Sequence, residues 1–167
     1  VYDGGLLSFE AENAALVSSR SVIANSDMTS ALTTPNSTSA SLLNVLGGSN
    51  WKKYGDSVVW EIEAPERALY RISFRFKQDS YQGFTSYREL AVNGTVQYSE
   101  AQAIPFGYGD DWQTYSSDNY ILLEKGKNTI SLKCVLGKSA ELLKKTNSVI
   151  TSLNSLYGSL LTVIGSS

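Results

Sequence analysis

Two kinds of residue in this chain have the types and spacing to do chemistry. Glu10 and Glu12 stand two apart in the alternating stretch LLSFEAE at 6–12. On a strand their carboxylates share one face, about 7 Å apart. Hard oxygen ligands so placed can help hold Ca2+, which also draws on carbonyls and water; two solvated carboxylates on an edge strand is the plainer reading. The second kind is aromatic. Tyr81, Phe84 and Tyr87 lie in one polar stretch, Phe106, Tyr108 and Trp112 in another with Asp110 and Asp111, and Trp51 and Tyr54 in a third. Such rings pack on the C–H faces of sugars while neighbouring polar groups bond the hydroxyls. Trp112, Tyr108, Tyr81, Tyr87 and Asp111 are the expected ligand-contacting set, against the alternative that Trp112 plugs the end of the fold. Arg75 and Arg88 read first as a solvated sheet face and only second as groups reaching a carboxylated sugar.

Much other chemistry is excluded. The chain has no histidine, which removes Ser-His-Asp, Cys-His and zinc-water catalysis in their usual forms. Its one cysteine, Cys134, sits in the apolar alternation ISLKCVL and reads as a buried residue, not a nucleophile. Asp110-Asp111 is a carboxylate pair, but glycoside hydrolysis needs two acids set across a cleft, and adjacent loop aspartates do not show that. The expectation is therefore a protein that is not an enzyme. A net charge of −2 without a basic cluster argues against nucleic acid. No apolar run is long enough to span a membrane. The first residues lack the pattern of a signal peptide and read as the interior of a longer precursor. Sequons stand at Asn36 and Asn93 and go unused in a bacterial protein.

The elements that must position these residues are short. Alternation predicts strands over 6–12, 57–63 and 68–77, with Ala64-Pro65-Glu66-Arg67 as the turn between the last two. In the second run Tyr70, Ile72, Phe74 and Phe76 share one parity, and with Trp60 they belong in a core. Residues 24–50 read as a surface segment holding one or two short strands. Asn93-Gly94 between alternating runs predicts a hairpin. Residues 103–119 read as an aromatic-rich loop, followed by strands on either side of Gly126-Lys127. Seven or eight short strands predict a mainly β protein, an antiparallel β-sandwich. The tail changes period: Leu142, Val149, Leu153, Leu156, Leu160 and Val163 fall at helical spacing. This predicts an amphipathic helix from Ser139 to about Gly165, with Gly158 marking a break or a close approach. Two units follow, a sandwich over 1–137 and a helical extension over 138–167 packed on the sandwich or on a partner, such as a second copy or an adjacent domain.

Four stretches resemble the carbohydrate-binding modules of families 6 and 35, within the galactose-binding-like jelly-roll fold. They are FEAENAAL, VVWEIEAPERALYRISFRF (with Ala68 where a glycine is usual), LAVNGTVQY, and LLEKGKNTISLKC with its L-x-x-G-x-N-x-I-x-L form. The resemblance spans residues 8–136. It implies a non-catalytic module of an exported, extracellular or cell-surface bacterial protein that binds a polysaccharide or oligosaccharide. It also implies a structural Ca2+ at glutamates placed like Glu10 and Glu12. The family usually closes its sandwich with one more strand, whereas this chain turns helical. That tail resembles one in modular bacterial surface proteins, some of them solute-binding components of transporters. The competing expectation is a structural or interaction module that packs against other domains and binds no sugar.

Overall fold

A computed structural model describes residues 1–20, 22–35 and 42–164. Its elements in chain order are β1 (Leu16–Val17), β2 (Ala24–Asn25), β3 (Val45–Leu46), β4 (Ser57–Ala64), β5 (Ala68–Phe76), β6 (Ser86–Val92), β7 (Ile104–Phe106), β8 (Gln113–Leu123), β9 (Gly126–Val135) and the helix α1 (Ser139–Ile164). Short 3-10 turns lie at Ala11–Asn13, Gly48–Asn50 and Ser99–Gln102. The chain divides into two compact units, Val1–Val135 and Leu136–Ser167.

The first unit is an antiparallel β-sandwich. One layer has the strand order β1-β4-β9-β6-β7, the other is the pair β5-β8, and β2-β3 form a small ribbon. Strand alternation explains the packing, because successive side chains point to opposite faces. Val58, Ile62, Leu90, Val92, Ile130 and Leu132 of the large layer are buried, as are Tyr70, Ile121 and Leu123 of the small one. Phe106 joins the layers, its ring edge-on to Phe76 at 4.8 Å and to Phe74 at 6.2 Å. Trp60, Phe74 and Phe76 pack against this core as expected of them, although each stays partly exposed. Asn128 closes one end. Its Nδ2 donates to the carbonyls of Glu124 (2.7 Å) and Gly126 (3.0 Å), while its Oδ1 accepts from Glu124 N (3.0 Å) and Asn93 Nδ2 (2.9 Å).

Several expectations are corrected. Residues 6–10 are not a strand: they join no ladder, and Leu6, Leu7 and Phe9 are exposed. The chain instead makes a 3-10 turn at Ala11–Asn13 and joins the ladder with β4 only at the two residues of β1, flanked by hydrogen bonds from Ala15 N to Val59 O and Ser18 N to Ser57 O. The premise that Glu10 and Glu12 share a strand face therefore fails. Asn93-Gly94 does form the tight turn, with φ of 50° and 77°, but a single bridge, Val92 to Thr95, follows it. β7 pairs with β6 only at Ser86–Arg88, and past Thr95 the chain leaves β6 for β8, where the Gln97 side chain bonds the Leu122 backbone. Residues 103–119 are not all loop, since β7 and most of β8 lie there. The outward row of β8 is polar, which hides the strand from a hydrophobicity reading; Ser116 Oγ pairs with Ser73 Oγ at 2.9 Å across the ladder. The strands flanking Gly126 lie in opposite layers, and Gly126 takes a φ of 89° at the crossing.

In the second unit α1 begins at Ser139 as expected and runs through Gly158 without a break. Leu142, Val149 and Leu156 recur every seven residues, Leu153 and Leu160 do likewise, and Leu143, Ile150 and Tyr157 lie beside the first set. All of these side chains are exposed. Asn36 lies outside the described residues.

Candidate functional site

Beside the end of β5, the segments 48–52, 77–81 and 86–88 enclose a recess of about 140 Å3. Trp51, Arg88 and Tyr81 line it with Lys52, Lys77 and Gln78. Arg88 sits on β6 because β6 is held between two partners, and its guanidinium lies over the Trp51 ring at 4.8 Å. Its Nη2 donates to Trp51 O (2.9 Å) and its Nη1 to Tyr87 O (3.0 Å). Among the described residues no carboxylate comes within ion-pair range of it. Burial lowers the Arg88 pKa, opposed by the nearby Cys134 and Asp56, and the group stays a cation well above neutral pH. Asp56 is itself buried, and its Oδ2 has no hydrogen-bond partner among the described residues. Cys134 is buried, and burial pushes its thiol pKa up, the opposite of what a nucleophile needs.

Gln78 shapes the loop at the rim. Its Nε2 donates to Phe84 O (2.9 Å), its Oε1 accepts from Ser80 N (3.2 Å), and its carbonyl accepts from Gly109 N (3.0 Å). This places Tyr81 edge-on to Phe84 at 6.4 Å, with both rings mostly in solvent, 62% and 68% exposed. Lys77 donates to Thr29 Oγ1 (2.9 Å) and pairs with Asp79 (3.3 Å) and Asp27 (3.7 Å).

Of the residues singled out from the sequence, Tyr81 reaches the recess, Trp51 stands in its wall, and Arg88, expected first on a solvated sheet face, is half-buried in the same wall. The rest gather elsewhere. Trp112 is half-buried, its indole N–H donates to Thr33 Oγ1 (2.8 Å), and Arg75 lies over its ring at 5.6 Å. Arg75 also donates to Thr34 Oγ1 (3.1 Å) and to the Leu32 carbonyl. Asp111 accepts from Trp112 N (2.7 Å), and a hydrogen bond from Ser30 is the main cause holding its carboxyl below the ordinary value. Tyr108 donates to Asp110, and that bond raises its phenol pKa. This cluster fastens residues 27–35 across the ends of β5 and β8. Tyr87 lies on β6, half-buried opposite Val135 and Pro105. Sequence reasoning passed over Lys77, Gln78 and Ser80; the signal was the polar run KQDSYQG directly after an aromatic strand. Glu10 is exposed and Glu12 half-buried, and among the described residues no three His, Cys, Asp or Glu side chains group to hold a metal.

No protein-family model matches the chain. It is 34% identical over 79 residues to a cycloisomaltooligosaccharide glucanotransferase of Niallia circulans, which covers 46% of this chain and 8% of that protein. In structure it is similar to a GH26-CBM35 beta-(1,4)-mannanase of Podospora anserina: TM-score 0.54, 18% identity, 77% of this chain and 24% of the other. The fold is family 35-like. A Paenibacillus cycloisomaltooligosaccharide glucanotransferase complexed with cycloisomaltoheptaose also matches it, at TM-score 0.51 and 26% identity, over 75% of this chain and 15% of that one. The chain thus spans a small part of the length of each of the three proteins. No described helix is long and apolar enough to cross a membrane.

Proposed function

We propose that this chain is a non-catalytic carbohydrate-binding module of an exported bacterial protein, taking a glycan at the recess between Trp51, Arg88 and Tyr81. The observation that carries the reading is the Arg88 guanidinium, stacked on Trp51 and fixed by two carbonyls, beside the exposed ring of Tyr81. The ring offers a face to a pyranose. The remaining guanidinium N–H groups, Lys52, Ser80 and Ser86 offer donors to its hydroxyls. Trp112, whose indole N–H and ring face are already engaged within the protein, suits a positioning role better than a stacking one. The 34% identical glucanotransferase and its Paenibacillus counterpart with cycloisomaltoheptaose make isomaltooligosaccharides the first ligands to test, with β-mannan second.

Titration calorimetry with isomaltoheptaose, cycloisomaltoheptaose and mannohexaose tests the proposal. Binding to at least one, lowered about tenfold in Tyr81→Ala with an unchanged melting temperature, is the expected result. No heat with any of the three, followed by a blank across a broad glycan array, removes the sugar reading. The competing reading, a module that packs against other domains, is favoured by one observation: the heptad-spaced apolar side chains of α1 are exposed.

A further inference from the structure

The recess beside Tyr81 is small. At about 140 Å3 it falls well below the roughly 300–1,000 Å3 of a site that encloses a drug-sized ligand, so it holds about one sugar ring. The rest of any bound chain lies outside it. Phe84 stands there, in ring contact with Tyr81 but not in the wall of the recess, and most of its surface is in solvent.

A lone exposed phenylalanine needs no explanation. This one is held in place together with Tyr81. Its N–H donates to Tyr81 O (3.2 Å), and its carbonyl accepts from Gln78 Nε2 (2.9 Å). The same side chain accepts, through Oε1, from Ser80 N (3.2 Å) and Tyr81 N (3.5 Å). One glutamine thus fixes the backbone at both rings, and the bond from Gly109 N to its carbonyl ties the loop to a second segment. Between the rings Gly83 takes a φ of 78°, which lets the chain fold back so that they meet. Rings set before a ligand arrives lower the ordering cost of binding.

The ring planes cross at 72° with their centroids 6.4 Å apart. Sugars stacked on the two rings must have planes that cross just as steeply. A glycan can therefore use both rings only if it turns between neighbouring residues. In a β-1,4-linked glucan or mannan, successive rings are related by a half turn and their faces stay near parallel. Such a ribbon lies flat on one ring and meets the other edge-on. An α-1,6 linkage adds the C5–C6 bond to the glycosidic torsions, and this further rotation lets successive ring planes cross.

We propose that Phe84 is a second stacking face, an outer subsite beside the recess, and that with Tyr81 it selects α-1,6-linked glucans over flat β-1,4 ribbons. The inference rests on the recess being the glycan site. Tyr81 takes the residue at the mouth of the recess and Phe84 the next one outward, with Gln78 as the positioning residue for both rings.

Titration calorimetry on the intact chain tests this with isomaltose and isomaltoheptaose, and with cellobiose and cellohexaose as flat counterparts of the same sugar. The readout is the gain in affinity from the short to the long oligomer. The expected gain is about tenfold or more in the α-1,6 series, with none comparable in the β-1,4 series, a comparison that needs no variant. Phe84→Ala should abolish the α-1,6 gain, and Phe84→Tyr, which keeps the ring face, should retain it. A gain that survives in folded Phe84→Ala, or is lost equally in Phe84→Tyr, overturns the outer subsite and leaves the carbohydrate reading standing. An equal gain with the cello-oligomers overturns the linkage selection, as does failure of isomaltoheptaose to bind a protein that takes another glycan. A blank with every glycan removes the carbohydrate reading itself, and the subsite with it.

Discussion

Asn128 is 2% exposed, and its side-chain amide uses both donors and both acceptor sites within the fold. Removing it leaves the part-buried Glu124 N–H and the Glu124 and Gly126 carbonyls without this partner, which costs more than the bonds themselves contribute where water does not replace the amide. Asn128→Ala should therefore lower stability by about 2–4 kcal/mol, read as a shifted denaturant midpoint. A loss under about 0.5 kcal/mol would mean that water replaces the amide. Trp112 differs in kind from Tyr81. Trp112→Ala frees Thr33 and uncovers Arg75, so it should reduce stability and loosen residues 27–35, while Tyr81→Ala should affect ligand affinity alone. Calcium belongs at this scale as well. Two carboxylates off a common strand face fall well short of a cage of six or more oxygens, so a site at Glu10 and Glu12 is expected to be weak, in the millimolar class. Thermal melts over a calcium series check this: a shift that saturates at micromolar calcium contradicts it, and loss of any shift in Glu12→Gln locates the site.

The segment 26–35, which follows β2, has no regular structure and is held on by polar contacts. Burial works against the charge on Asp27, but hydrogen bonds from Thr29 and the charge of Lys77 prevail, and its pKa lies below the ordinary 3.8. The Asp111 carboxyl, bonded by Ser30, is shifted the same way. A carboxyl with a lowered folded-state pKa contributes stability that is complete above its unfolded value and is lost as pH falls through the folded one. Residues 27–35 should therefore come away below about pH 4 while the sandwich persists. A change in Trp112 fluorescence that precedes loss of the β signal is the expected sequence of events, and Asp27→Asn should move the first step toward neutral pH. A single coincident transition would show that the segment is part of the core.

At the scale of the whole molecule, α1 is the exceptional piece. Its residues from 146 to 164 carry no charge, and an isolated helix of such Ser-, Thr- and Asn-rich sequence is marginal in water. The apolar residues recur every seven, a spacing that suits winding against another helix. The expectation is self-association or docking through 140–164. Multi-angle light scattering should report dimers or larger species, with Leu153→Glu returning monomers of lower helical content. A monomeric wild-type protein whose tail amides exchange at free-peptide rates would contradict both outcomes.

The sequence by itself determined what depends on neighbours along the chain. Parity named Tyr70, Ile72, Phe74 and Phe76 as one inward row, Ser139 opened a helix, and Asn93-Gly94 and Gly126 turned the chain, because strand and helix periods and positive φ are local properties. Tertiary structure alone decided which strands pair. The segment at 6–12 has the alternation of a strand and no partner, whereas polar residues 113–119 form one because β5 lies alongside. The recess was hidden for the same reason. Trp51, Gln78 and Arg88 come from three separate stretches, and only the antiparallel pairing of β6 with β9 and the turn after β5 bring their side chains into one wall.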